Sequence, residues 1–156
     1  MHNKFLLLFL LSACLGWACK SKQTTAPFDW PFVLSNAEYN GLLNKAGAWL
    51  GVPYKYGGTS SKGVDCSGLV LAITSAGSLP RTSKEMYKAC TSISEKKLLP
   101  GDLIFFSINA KQVNHVGIVL QSPWFIHASS SSGVVLNRWT EPYYTKWFVG
   151  FGRIPS

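Results

Sequence analysis

The chain has 156 residues and a formal net charge of +8, enough for one domain with a real core and too little for two. Its basic residues are scattered from Lys20 to Arg153 rather than gathered in a run, so the charge gives no argument for nucleic acid and suits acidic partners such as anionic lipid headgroups or carboxylate-bearing peptides equally well. No internal repeat is visible, and the only low-complexity patch is SSSS at residues 129–132, read as a hairpin turn.

Residues 1–4 make a short positive start and residues 5–11 an apolar run too short to cross a bilayer, the pattern of a removable targeting signal. Two cysteines lie near its end, Cys14 in LSAC and Cys19 in GWAC, and both resemble the lipid-modification site of bacterial lipoproteins. Leu11 and Ala13 favour Cys14, whereas a more normal apolar length and the polar sequel KSKQTTAP favour Cys19. Cys19 is taken as the anchor, with Cys14 as its alternative and a plain secretory leader as the rival to both. Residues 1–18 are then a lipoprotein signal peptide, residues 19–35 a tether, and residues 36–156 the folded domain. A lipid would hold that domain at a membrane without a spanning helix.

A helix is expected over about residues 36–50. Ser35 and Glu38 have capping-box spacing, Leu42, Leu43, Ala46, Trp49 and Leu50 form one apolar stripe, and Gly51 ends it. The segment GVPYKYGGTSSKGVDCSGLV follows at residues 51–70; its glycine- and serine-rich middle must loop, and a helix begins near Asp65. Leu69, Val70, Leu71, Ala72, Ile73 and Ala76 are apolar nearly all round, as in a buried helix, with Gly77 as the stop. Cys66 therefore falls in the first turn, where free N–H groups and the helix dipole favour a thiolate, between the small residues Ser67 and Gly68. The plain alternative is a small buried hydrophobe.

Thr82 and Glu85 mark the start of a short helix on which Met86, Ala89 and Cys90 share one face, so Cys90 reads as core. A bridge from Cys66 to Cys90 would silence the nucleophile. After this helix the character changes: LLPGDLIFFS, NHVGIVLQ, WFIHAS, GVVLNRW and WFVGFGRI are short β-rich runs separated by turn residues. Helices first and strands afterwards indicate an α+β domain with helices packed on one face of an antiparallel sheet. His115 and His127 sit on two of these strands. Alternation puts His115 with Val113 and Gly117, opposite Val116 and Ile118, from which the imidazole is expected to face the Cys66 helix; His127 on the next strand would hydrogen-bond its ring.

Six motifs in order, GVPYKYGG, DCSGLV, LPRTS, LLPGDLIFF, NHVGIVL and FIHASSSSGVV, closely resemble the NlpC family of bacterial cell-wall cysteine peptidases, over about residues 38–154. The resemblance implies a papain-like fold with the nucleophile at a helix N-terminus. It implies Cys66 as nucleophile, His115 as base, His127 as the residue orienting that base, and Tyr54 as the tyrosine beside the nucleophile. Asp65 and Ser67 match residues that shape the substrate site, and Arg81 lies in a motif the family commonly shows. Met86 stands where relatives often carry glutamine. The implied reaction is hydrolysis of peptidoglycan stem peptides, typically from γ-D-glutamate to diaminopimelate or lysine, through a thioester and without metal or cofactor. The implied setting is an exported, membrane-anchored lipoprotein facing the wall or periplasm.

Three other readings use the same residues. A zinc site built from Cys66, Cys90, His115 and His127 lacks the CxxC or HxxxH spacing such sites use. A catalytically idle wall-binding lipoprotein leaves the filled triad positions without a purpose. A papain-like amidase or acyltransferase would share the nucleophile and differ in product.

Overall fold

The computed structural model describes residues 29–32 and 39–155. The signal, both candidate lipid cysteines, most of the tether and the Ser35–Glu38 capping pair lie outside these residues. Among the described residues no helix is long and apolar enough to cross a membrane.

Helix α1 (Asn40–Trp49) presents Leu43 and Ala46 to the core and ends at Gly51, whose φ of 78° is the left-handed turn that glycine adopts at no steric cost. A two-residue hairpin follows, β1 (Thr59–Ser60) and β2 (Gly63–Val64), and leads into α2 (Cys66–Thr74). Helix α2 is buried over most of its length, as its apolar circumference requires. It stops at Ser75, which takes a left-handed φ of 56° with its N–H on the Leu71 carbonyl, two residues before the expected Gly77. Helix α3 (Ser83–Ala89) starts on the Thr82 cap: its hydroxyl accepts the Glu85 N–H at 3.3 Å and donates to the Glu85 carboxylate at 2.7 Å. Met86 on α3 is fully buried; Ala89 is exposed, so the expected apolar face narrows to Met86 and the half-buried Cys90.

The remaining chain forms one antiparallel sheet of six strands, β3 (Thr91–Ile93), β4 (Leu103–Phe106), β5 (His115–Gln121), β6 (Trp124–Ser129), β7 (Gly133–Arg138) and β8 (Phe148–Arg153), in the order β3-β8-β4-β5-β6-β7. Helices first and an antiparallel sheet afterwards is the α+β arrangement expected, with Ser130–Ser132 making the β6–β7 turn. Alternation divides the sheet into two cores. Leu103, Phe105, Val116, Ile118, Leu120, Ile126 and Ala128 pack against Leu69, Val70 and Ile73 of α2, Leu43 and Ala46 of α1, and Met86 of α3. The opposite face carries Ile104, Phe106, Val119, Phe125 and Phe151, covered by Trp139 and by Tyr144 of a short helix α4 (Pro142–Trp147). Helix α4, the edge strand β3 and the small β1–β2 hairpin are elements the periodicity did not show. Each is too short to display a period, and α4 is mostly aromatic.

The glycine-rich loop is pressed onto the first turn of α2. A Cβ at Gly68 would collide with the Gly58 carbonyl and would stand 3.0 Å from the Asp65 carboxylate, whereas one at Gly41 on α1 would meet nothing within 4 Å. Gly68→Ala should therefore lower stability by about 1–3 kcal/mol, the usual cost of overpacking. Gly41→Ala should raise it by about 0.4–1 kcal/mol, through lost freedom of the unfolded chain. Chemical denaturation of the two variants checks both signs; equal stabilities would show that the loop does not rest on the helix in this way.

Candidate active site

Asp65 places the cysteine. It is the N-cap of α2, and its Oδ1 accepts the Gly68 N–H at 2.6 Å while its Oδ2 accepts the Gly57 N–H at 2.9 Å, tying the glycine loop to the helix start. Arg81 grips the same carboxylate with both terminal nitrogens, at 2.9 and 2.7 Å, and donates to the Ser67 hydroxyl at 2.7 Å and the Gly58 carbonyl at 3.4 Å. Burial pushes the Asp65 carboxyl up, but the hydrogen bonds from Arg81, Gly68 and Gly57 and the charge of Arg81 outweigh it and hold the group below its ordinary value. Asp65, Ser67 and Arg81 thus come together as one network, and most of their polar atoms face each other.

Cys66 follows directly, 8% exposed. Strands β5 and β6 pair only from Ile118↔Ile126 onwards, and in the unpaired opening of β5 the Val116 N–H is directed to the Cys66 sulfur, as are the N–H groups of Ser67 and Cys66 itself. Burial pushes the thiol above its ordinary value, and the Asp65 charge adds to this; the three N–H groups act the other way without prevailing. Burial thus works against the thiolate expected at the helix start. Cys90 is also unpaired, and burial with the nearby Asp102 pushes it up to about 11, so no bridge silences Cys66.

His115 is the first residue of β5, next to the Val116 N–H that meets the sulfur. Alternation along β5 holds, but α2 covers the face of Val116 and Ile118 rather than that of His115. The reason is apolar burial: the buried helix must cover the aliphatic side of the strand. The imidazole lies over Phe106, ring centroids 6.0 Å apart, and shares a cleft with Cys66 because both stand at the end of their elements. Its Nε2 is 2.8 Å from Nδ1 of His127, which stacks on Phe125. Burial pulls His115 down to about 3, with the neighbouring His127 adding to the effect. Burial likewise pulls His127 down to about 4, against its hydrogen bond to Asn137 Oδ1 and the charge of Glu141. Both rings are neutral at rest.

Sequence reasoning missed what lies behind His127. Its Nε2 is 3.1 Å from Asn137 Oδ1 and 3.0 Å from the Tyr144 hydroxyl; that hydroxyl donates to Asn137 Oδ1 at 3.1 Å, and Asn137 Nδ2 donates to the Glu141 carboxylate at 3.4 and 3.5 Å. The signal was present as Asn137 on the strand paired with that of His127, but Tyr144 arrives on the unread helix α4.

Tyr54 lines the cleft together with Cys66, Asn114, His115 and His127, a space of about 200 Å³. It also lines an adjoining groove of about 460 Å³ with Cys66, Asp65, Arg81 and Val113. Burial and the charges of Cys66 and Asp65 push its hydroxyl above the ordinary value, so it remains a proton donor. A parallel bridge from Tyr54 to Val64 fixes it beside the nucleophile turn. Among the described residues no three His, Cys, Asp or Glu side chains form a group that could hold a metal ion.

The two depressed imidazoles make stability depend on pH. Unfolded histidines take up protons near their ordinary 6.5, while the folded pair resists until about 4 and 3. The unfolded state therefore binds more protons below 6.5, and stability falls as pH drops through that window. Asp65 acts separately and only below its ordinary value of 3.8. Tm should decline steadily from pH 6.5 towards 4, and the decline should be shallower in a His115→Gln, His127→Gln double variant. A flat wild-type profile would mean that the rings are not buried as neutral species.

Comparison with known proteins agrees with this geometry. The model of the NlpC/P60 family matches residues 51–153. The probable endopeptidase NlpC of Escherichia coli (strain K12) is 41% identical over 112 residues, 69% of this chain and 73% of that protein. The murein DD-endopeptidase MepS/murein LD-carboxypeptidase of the same organism is 37% identical over 118 residues, 74% of this chain and 62% of that protein. Among solved structures, a protein described as similar to lipoprotein, NLP/P60 family, from Staphylococcus aureus subsp. aureus Mu50 superposes with a TM-score of 0.69 at 29% identity, over 85% of this chain and 45% of its own. On the match over residues 51–153 and the helix-cysteine, strand-histidine site within them, the chain belongs to the NlpC/P60 family.

Proposed function

We propose that the protein is a cysteine peptidase that hydrolyses bacterial peptidoglycan, cutting stem peptides at the bond from γ-D-glutamate to diaminopimelate or lysine. The observation that carries this reading is the cleft in which Cys66, at the start of α2, meets Tyr54 and the His115–His127 pair, whose Nε2 and Nδ1 are 2.8 Å apart. The names of the relatives support the substrate class: a murein DD-endopeptidase in one case, a probable endopeptidase in another.

In this mechanism Cys66 is the nucleophile and His115 the base. Because thiol and imidazole are both neutral at rest, the proton moves from sulfur to ring as the sulfur attacks the amide carbonyl. The Cys66 N–H and the Tyr54 hydroxyl hold the oxyanion that develops, and each such donor is typically worth about 10²–10³ in rate. His115 then gives its proton to the leaving amine, leaving a thioester. The same ring draws a proton from water for deacylation and returns it to the sulfur. His127 orients the base. Asp65, Ser67 and Arg81 shape the groove beside the nucleophile, and the guanidinium, 39% exposed in its side chain, adds positive field there for the carboxylates of the stem peptide. Anchoring through a lipid on Cys19, or on Cys14, would place this domain outside the cytoplasmic membrane, facing the wall or periplasm. The description of the staphylococcal structure as similar to lipoprotein supports that setting.

Cys66→Ala and His115→Ala should each abolish hydrolysis of purified peptidoglycan with the fold intact, and His127→Ala should give a large but incomplete loss. Mass spectrometry of the products tests the bond; release of glycans without peptide cleavage, or full activity in either of the first two variants, would overturn the assignment. Iodoacetamide at neutral pH should alkylate Cys66 more slowly in His115→Ala than in the wild type, a result an idle scaffold would not give.

Tyr54→Phe should lower kcat by up to about 10²–10³, with little change in Tm, if the hydroxyl serves the oxyanion. Unchanged kcat in that variant would leave the ring alone as the contribution of Tyr54.

A further inference from the structure

The contacts behind His127 determine where the protons of both imidazoles sit. Glu141 accepts the Arg138 N–H at 2.8 Å, so its carboxylate is held in place by the backbone of β7. A carboxylate accepts only, which makes the Asn137 group facing it, at 3.4 and 3.5 Å, the amide nitrogen. Asn137 Oδ1 is thereby turned towards His127 Nε2, 3.1 Å away, and towards the Tyr144 hydroxyl, also 3.1 Å away. A carbonyl oxygen cannot donate. The hydroxyl also lies 3.0 Å from Nε2, but were it to donate there, Oδ1 would face a bare Nε2 and the hydroxyl oxygen at 3.1 Å with no hydrogen between them. The hydroxyl therefore gives its hydrogen to Oδ1, and Nε2 of His127 carries the ring proton, with Oδ1 and the hydroxyl oxygen as its acceptors.

The consequence passes through both rings. A neutral His127 protonated on Nε2 has a lone pair on Nδ1, and that atom lies 2.8 Å from His115 Nε2. His115 must then donate through Nε2, which leaves the lone pair of its neutral ring on Nδ1. Burial keeps both rings neutral, so each holds one proton and the pattern has a single solution.

We propose that Asn137, supported by Glu141 and Tyr144, is a positioning residue that locks His127 and His115 in the one tautomer pair that leaves Nδ1 of the base open to the thiol proton of Cys66. The proposal rests on the peptidase reading for its catalytic meaning, but the tautomers themselves can be read without any substrate. When His115 becomes an imidazolium, its Nε2–H bond to His127 is retained and no other proton need move. The chain from Glu141 to His115 is thus arranged before reaction and costs no reorganisation during it.

The test uses protein labelled with 15N at histidine, in which two-bond 15N–1H correlations separate protonated ring nitrogens from those with a lone pair. Near neutral pH the wild type should show His115 and His127 both protonated on Nε2 and bare on Nδ1. Asn137→Leu should convert both rings to tautomer mixtures and lower kcat by about tenfold to a hundredfold with KM unchanged, the scale of loss for a supporting partner and below the roughly 10⁴ of a fully wrong tautomer. Tyr144→Phe, which keeps the Asn137 acceptor, should lose less. The double variant Asn137→Asp, Glu141→Gln restores an acceptor beside His127 and a donor opposite it, and should recover the wild-type tautomers and most of kcat. A wild-type spectrum with the proton on Nδ1 of His115 overturns the proposal whether or not any variant folds, and so does a folded Asn137→Leu with unchanged spectrum and kcat. If the wild type shows the stated tautomers and hydrolyses no peptidoglycan, the peptidase reading fails and the tautomer lock stands.

Discussion

The Asp65 carboxylate is the constraint on which the site depends. It receives five hydrogen bonds from four residues, Gly57, Ser67, Gly68 and Arg81, two of them from the helix it caps and one from the loop that precedes the hairpin. A buried carboxylate is costly unless its lone pairs are filled and its charge met, and here both conditions are satisfied by groups that fix the path of the chain. The glycines of the loop are needed because backbone must approach backbone: the Asp65 N–H donates to the Gly58 carbonyl at 3.2 Å, and no side chain at Gly68 fits beneath that carbonyl. Cys66 is the next residue, and its position follows from this knot rather than from contacts of its own.

The second constraint is the division of the sheet. Helix α2 has to bury its aliphatic surface on Val116, Ile118, Leu120 and Ile126, so the imidazoles, of opposite parity, belong to the aromatic face with Phe106, Phe125 and Tyr144. A site made from both faces can exist only at an edge or an end. It forms where α2 begins and where β5 has not yet paired with β6. There the backbone N–H of Val116 is free of the ladder on that side and serves the sulfur. Gly117 contributes by absence: a Cβ there would stand 2.6 Å from the Phe125 ring and 3.2 Å from the His127 Cβ, displacing the ring that meets His115.

Much of this was legible in the residues. The five strand-forming runs, the Thr82 cap and the cysteine at a helix start all follow from local chemistry that the tertiary fold does not override. The resemblance carried by six ordered motifs supplied the roles of the histidines, which alternation alone did not: parity tells which residues share a face, and which face a helix chooses is decided by the total apolar area available. Ser75 rather than Gly77 ends α2 because a polar residue tolerated a left-handed φ two residues early, a choice propensity does not reveal. Asn137, Glu141 and Tyr144 were invisible for a different reason. Each is an ordinary surface-type residue until the pairing of β6 with β7 sets Asn137 within reach of His127 and α4 turns Tyr144 inward.

Electrostatics then explains why such a site tolerates being buried. An ion pair of thiolate and imidazolium at rest would have to pay desolvation for two charges, and Cys66 and both histidines are shifted in the direction that avoids it, the thiol up and the imidazoles down. In the proposed mechanism, charge separation is deferred to the moment when a carbonyl can accept the electron pair of the sulfur. The groups able to stabilise that moment are already oriented: N–H groups at the helix start for the negative charge, and for the positive charge a neutral ring whose far nitrogen is hydrogen-bonded through His127 to Asn137, with the Glu141 carboxylate beyond it. The Glu141 carboxylate favours the protonated form of His127 by its charge, one ring removed from His115. A carboxylate directly on His115 would favour a resting charge pair, whereas a neutral imidazole in that position transmits orientation with less charge, which in the proposed mechanism lets Cys66 remain a buried thiol until substrate arrives.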